Sequence, residues 1–203
     1  MPPELAFYIT KYGYLAIFLL VFLQEIGIPN PVPNELVLLF SGYLSSIGVF
    51  NLPLVIFTVV SADFIGTTLL YVVFFYFGKY IFAHKPRWFP FPLEKVESIA
   101  KKISSKGRWG IYLGRLVPYL RGYTSIAAGL IQIKPSIYLL AVLASAITWS
   151  GGYVVAGKIL GPYYENFAKN FGVVQSIILL VLVFVIGIIV VRRFIKKWHK
   201  KTN

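Results

Sequence analysis

Gln24-Glu25-Ile26-Gly27-Ile28-Pro29-Asn30-Pro31-Val32-Pro33-Asn34-Glu35 is the stretch whose reading decides the fold. Two carboxylates and three alternating prolines stand here between two strongly apolar arms, Tyr12 to Leu23 and Leu36 to Val49. Proline removes a backbone donor and fixes φ, so Pro29, Pro31 and Pro33 predict an extended break rather than a continued helix. A carboxylate at membrane depth costs roughly 2.5–3.5 kcal/mol on insertion scales, so an acidic pair beside a break marks a functional site.

The arms belong in a membrane. Of the 203 residues 58% are hydrophobic and only 13% charged, more apolar than the core of a soluble domain of this size requires. No composition shift marks a second domain, so residues 1–203 are expected to form one membrane domain. With no cysteine there is no disulfide or thiolate metal site, and neither a cofactor nor a metal ligand set is expected. The net charge of +13 comes largely from two segments. Eight of the twenty Lys and Arg lie in residues 79–108 and six in residues 192–201, which predicts that both are cytoplasmic rather than bound to nucleic acid. The N-terminus lacks a basic leader and a small-residue cleavage site, so no removable signal peptide is expected.

As helices, the two arms would each rise about 18–21 Å, short of a hydrocarbon core of roughly 30 Å. They are therefore read as a re-entrant hairpin over residues 12–50, with Pro2 to Thr10 as an interfacial lead-in. Leu54 to Phe77 is long enough to cross and carries Asp63 with Gly66. A basic loop over 78–108 follows, containing an amphipathic helix from Leu93 to Lys106 on the cytoplasmic membrane surface, its apolar side made by Leu93, Val96, Ile99, Ala100 and Ile103.

A topology count decides the second half. If the basic loop and the C-terminal tail share the cytoplasmic side, the chain between them crosses an even number of times. Yet it offers three apolar stretches, 109–133, 136–160 and 173–191, followed by the basic tail 192–203. The first contains Arg115, Pro118 and Arg121, so it is the one expected to turn back, as a second re-entrant hairpin with Pro118 as its break. The expected fold is thus all-α and integral to the membrane. It is an inverted repeat of re-entrant hairpin plus transmembrane helix, with a further C-terminal transmembrane helix.

Five ionisable residues then lie in apolar context: Glu25, Glu35 and Asp63 from the first half, Arg115 and Arg121 from the second. Opposed hairpins would bring the two signs together, as a structural ion-pair cluster or as a gated substrate site. Arginine's planar fork suits phosphate, which favours an anionic headgroup. No catalytic residue is assigned. Both histidines, His84 and His199, lie in basic surface segments, so a phosphatase lacks the usual base.

The chain resembles the DedA family, bacterial and archaeal relatives of the eukaryotic VTT-domain lipid scramblases. The likeness runs over Glu25, Pro29, Pro31, Pro33 and Glu35, then Asp63 with Gly66, the block Arg115-Leu116-Val117-Pro118-Tyr119-Leu120-Arg121, Ala128-Gly129, and Trp149 with Gly152-Tyr153. It departs at Asn34, where the family often has glycine, and at Thr67, where tyrosine is usual. The resemblance implies a multi-pass protein of the cytoplasmic (inner) membrane, with its C-terminus inside, that moves membrane lipid. The implied substrate is undecaprenyl (polyprenyl) phosphate, coupled to protons. Glu25, Glu35 and Asp63 are then the proton-coupling acids, and Arg115 and Arg121 the phosphate-binding pair. Phospholipid scrambling and proton-coupled transport of a small ion are the alternatives, and the oligomeric state stays open.

Overall fold

The structure, a computed structural model, describes residues 3–28, 32–84, 93–117 and 120–169. The chain divides into two units, Met1–Gly161 and Pro162–Asn203. The first carries everything that follows, and of the second only the helix end through Lys169 is described. Pro29, Pro31 and Pro118, the expected span 173–191 and the tail 192–203 lie outside the described residues.

All regular structure among the described residues is helical. Helix α1 (Pro3–Glu25) begins before the expected arm and absorbs the residues read as an interfacial lead-in. Its 23 residues rise about 34 Å, so length does not argue against its crossing a membrane. Helix α2 (Asn34–Ser46), about 20 Å long, is too short to cross. Pro33 caps α2 with φ −57° and ψ 142°, the extended geometry its ring and position favour. The two helices form an antiparallel pair, α2 running back alongside the second half of α1. Asn34 hydrogen-bonds Glu25 at the break, and just past α2 the Asn51 amide donates at 2.8 Å to the hydroxyl of Tyr14, near the middle of α1.

Helix α3 (Leu52–His84) is longer than the expected span 54–77. It runs past Gly78, which packs against Leu130, into the segment read as loop. Helix α4 (Leu93–Lys106) follows. On its apolar side Val96 and Ile103 are fully buried within the protein, in a cluster shared with Phe74 of α3. Helices α5 (Arg108–Arg115) and α6 (Arg121–Leu130) flank the second break, and at about 12 and 15 Å neither can cross. Helix α7 (Pro135–Ala146), a π-helical turn (Ile147–Gly151) and helix α8 (Gly152–Lys169) then continue without interruption. Among the described residues two stretches are long and apolar enough to cross a membrane, Leu52–His84 and Pro135–Gly161.

Two apolar clusters lie along α3. Val55, Val59 and Ala62 pack with Val21 of α1, Leu38 of α2 and Val154 of α8. Further along, Leu70, Tyr71 and Phe74 pack with residues of α4 to α7. Asp63, Gly66 and Thr67 fall between the clusters. Outward faces are apolar too, with Phe57 71% and Leu140 68% exposed, a pattern suited to lipid and costly in water.

Glycines allow the close crossings. A side chain on Gly42 would collide with the Val154 carbonyl, and one on Gly157 with the Leu39 carbonyl, so α2 and α8 touch backbone to backbone. A Cβ on Gly129 would lie 2.6 Å from the Tyr71 carbonyl, bringing α6 equally close to α3. Gly152 has open space around it. Gly157→Ala and Gly42→Ala should therefore each lower stability by about 1–3 kcal/mol, while Gly152→Ala should be neutral or mildly stabilising. Thermal unfolding in detergent reads the difference, and equal melting temperatures for all three would contradict the packing.

Candidate functional site: a buried charge cluster

The break between α1 and α2 and the break between α5 and α6 are flanked by charges of opposite sign, and α3 brings them together. Glu25 is the last residue of α1. Arg115 is the last of α5 and Arg121 the first of α6. Gly66 lets α1 approach, since a Cβ there would stand 3.0 Å from both the Phe22 carbonyl and Glu25 Cβ. Glu25 can then reach the α3 face that bears Asp63 and Thr67.

Asp63 is fully buried and accepts from both guanidiniums: Arg115 Nη2 is 2.5 Å from Oδ1, and Arg121 Nη2 is 2.5 Å from Oδ2. Ser150 Oγ donates to Oδ2 at 2.6 Å. Glu25 is held less tightly, with Oε1 3.2 Å from Arg121 and Oε2 3.8 Å from Arg115. Asn34 Nδ2 donates to Oε1 at 3.1 Å. The Thr67 hydroxyl stands 3.1 Å from Glu25 Oε2 and 3.2 Å from Asp63 Oδ1, and its single proton serves one carboxylate at a time. With two carboxylates and two guanidiniums, the cluster is electrically balanced, as burial demands.

The arginines are not equivalent. All three nitrogens of Arg115 have partners: Nε donates to Ser145 Oγ at 2.8 Å, Nη1 to Ser125 Oγ at 3.3 Å, and Nη2 to Asp63. Its side chain is entirely enclosed. Arg121 engages both acids through Nη2, its Nε is buried with no partner, and its guanidinium lies 5.4 Å from the centre of the Trp149 ring.

The π-helical turn explains how one helix serves both Arg115 and Asp63. Ser145 and Ser150 are five positions apart, about 140° on a regular α-helix. A π turn closes its hydrogen bonds five residues apart and brings such positions nearly into line, so Ser145 meets Arg115 while Ser150 meets Asp63.

Four of the five ionisable residues singled out in the sequence therefore meet. Glu35, half-buried in the first turn of α2, makes no ion pair with the described residues. Asn34, Thr67, Ser125, Ser145 and Ser150 were not marked by charge, and only the departures from the family pattern at Asn34 and Thr67 pointed to any of them. Among the described residues no group of His, Cys, Asp and Glu is placed to hold a metal ion. His84 is exposed, its Nδ1 3.0 Å from the Tyr80 carbonyl, and lies about 31 Å along α3 from Asp63.

A chain whose described residues are all helical or in turns, apolar on their outward faces and built round a buried, balanced charge cluster is an integral membrane protein. The chain belongs to the VTT-domain family, the DedA family, whose profile matches residues 32–159. That range takes in Asp63, Arg115, Arg121 and Trp149 and leaves Glu25 outside, so Glu25 joins the site on geometry. The chain is 22% identical over 199 residues to a Staphylococcus aureus protein named undecaprenyl phosphate transporter A, covering 96% of this chain and 97% of that one. It is 27% identical over 151 residues to an uncharacterised membrane protein of Synechocystis, covering 74% and 68%. A Lactococcus lactis protein named alkaline phosphatase-like is 22% identical over 195 residues, covering 93% and 89%. No solved structure matches.

Asp63→Asn leaves two buried guanidiniums facing one carboxylate, and should destabilise the fold by about 3–5 kcal/mol. Ser150→Ala removes one hydrogen bond to a charged group, about 1.5–3 kcal/mol. Thermal unfolding in detergent should rank them in that order, and a wild-type melting temperature for Asp63→Asn would contradict the cluster.

Proposed function

We propose that this chain carries a lipid phosphate across the cytoplasmic membrane, with undecaprenyl phosphate as the substrate and protons as the coupling ion. The observation that carries the reading is the buried pair of guanidiniums whose charge is cancelled by two carboxylates. A phosphate can join such a cluster only if negative charge leaves it. Protonation of one carboxylate does this, turning a balanced cluster into one with a single positive charge that attracts an anion.

Glu25 is the acid we assign to that proton. Asp63 receives both arginines at 2.5 Å and is fully enclosed, whereas Glu25 is farther from each and keeps 6% of its side chain exposed. Asp63 then holds the arginines in place throughout, and Glu35, near the break but outside the cluster, is proposed as a carboxylate on the proton's way in. The re-entrant reading of residues 12–50 and 109–133 belongs to the same proposal. Its support is the shortness of α2, α5 and α6 and the meeting of both breaks at Asp63, about 17 Å along α3 from Leu52 and so near mid-depth of a hydrocarbon core. The name of the Staphylococcus aureus relative supports the choice of substrate.

Flux of undecaprenyl phosphate in proteoliposomes under an imposed pH gradient tests this. Wild-type flux should follow the gradient, Arg121→Gln should abolish it, and Glu25→Gln should retain binding of the phosphate while losing the response to pH. Unchanged, gradient-driven flux in both variants would overturn the reading. Gradient-driven movement of a small ion with no lipid phosphate flux would replace it with the ion-transport alternative.

A further inference from the structure

Three buried polar atoms without a partner belong to Arg121 itself and to side chains that contact Arg121 or Glu25: Arg121 Nε, Trp149 Nε1 and Asn34 Oδ1. Two of them are donors. A buried N–H without an acceptor costs free energy that native structures rarely leave unrecovered, so a pair on touching side chains needs an explanation. The Trp149 indole is held in place by its packing with Tyr153, ring centres 4.9 Å apart, and by Arg121 against its face. The π-helical turn positions it together with Ser150, so the residue that presents the indole and the residue that ties Asp63 are consecutive.

From this we infer that Trp149 and the Nε edge of Arg121 form the subsite that takes the phosphate monoester, and that Arg115 is a positioning residue that does not touch it. The inference rests on the lipid-phosphate reading and divides labour within that site. Arg115 has a partner at each nitrogen and no exposed side-chain surface, so it has no free edge to offer. Arg121 has an Nε with no partner, and 9% of its side chain is exposed. A phosphate monoester has three terminal oxygens, and these can accept from Arg121 Nε and the indole N–H while Arg121 Nη2 stays on Asp63. Protonated Glu25 would release Arg121 without dismantling the Asp63 pairs. Asn34 Oδ1, idle while its Nδ2 serves the Glu25 carboxylate, is then the acceptor for the new Glu25 proton after an amide flip.

The test measures binding to the purified full chain in detergent with three probes: farnesyl phosphate, farnesol and inorganic phosphate. Trp149→Phe, with farnesol binding reporting any loss of packing, keeps an aromatic face for Arg121 and removes the five-membered ring that carries the N–H. It should weaken farnesyl phosphate binding about tenfold, as expected for loss of a hydrogen bond to a charged group, and leave farnesol binding unchanged. In protein labelled with 15N-tryptophan, the indole signal missing from Trp149→Phe should move when farnesyl phosphate is added to the wild type. Inorganic phosphate moving the same signal would identify the headgroup alone as the ligand, while movement with farnesyl phosphate only would show that the lipid chain is needed to deliver it. Wild-type affinity for farnesyl phosphate in Trp149→Phe, or an indole signal that does not respond, overturns the subsite while leaving the transport reading in place. A wild-type protein that binds neither phosphate overturns both.

Discussion

Asp63 accepting two guanidiniums from opposite sides of one break is the interaction on which the rest of the structure depends. A lone carboxylate at that depth in α3 would be costly, and two arginines in short helices would be costlier. Together with Glu25 they cancel. Neither half of the chain is electrostatically complete without the other, since the first supplies only acids to the cluster and the second only arginines. The charge therefore dictates how α1 and α2 sit against α5 and α6, and the apolar clusters on either side fill the remaining space.

That constraint accounts for features that otherwise look unrelated. Gly66 must lack a side chain for Glu25 to come within reach of α3, and Gly129 must lack one for α6 to bring Arg121 alongside it. The π-helical turn departs from regular geometry so that Ser145 and Ser150 can serve two different members of the cluster. The apolar side of α4 covers α5 and α6, so two very short helices are anchored by protein on that side. Each of these departures from regular helix geometry or simple membrane packing lies within one or two helices of Asp63.

Much of this was legible from charge in the wrong place. Glu25, Asp63, Arg115 and Arg121 stood out because an ionisable residue in an apolar stretch is expensive, and expense is visible in sequence. Glu35 stood out for the same reason yet stays outside the cluster, because one position along α2 turns its side chain about 100° from Asn34. Asn34 and Thr67 showed only as departures from the family pattern, and Ser125, Ser145 and Ser150 were hidden, since small neutral polar residues are tolerated almost anywhere in a membrane helix. The π-helical turn left no compositional trace. Boundaries were less legible: the apolar run ends at Phe77, where the basic loop is expected to begin, but α3 continues to His84. The amphipathic period of residues 93–106 gave the helix but not what its apolar side would meet.

In the proposed function, the balanced cluster takes up a proton as it admits the anion, and any such coupling is reciprocal: phosphate binding would then draw in a proton. The most direct measurement is calorimetric titration of the purified protein with farnesyl phosphate, in buffers of matched pH and different ionisation enthalpy. The account predicts uptake of about one proton per phosphate bound. Binding heats that do not change with the buffer, meaning no proton uptake, would contradict it.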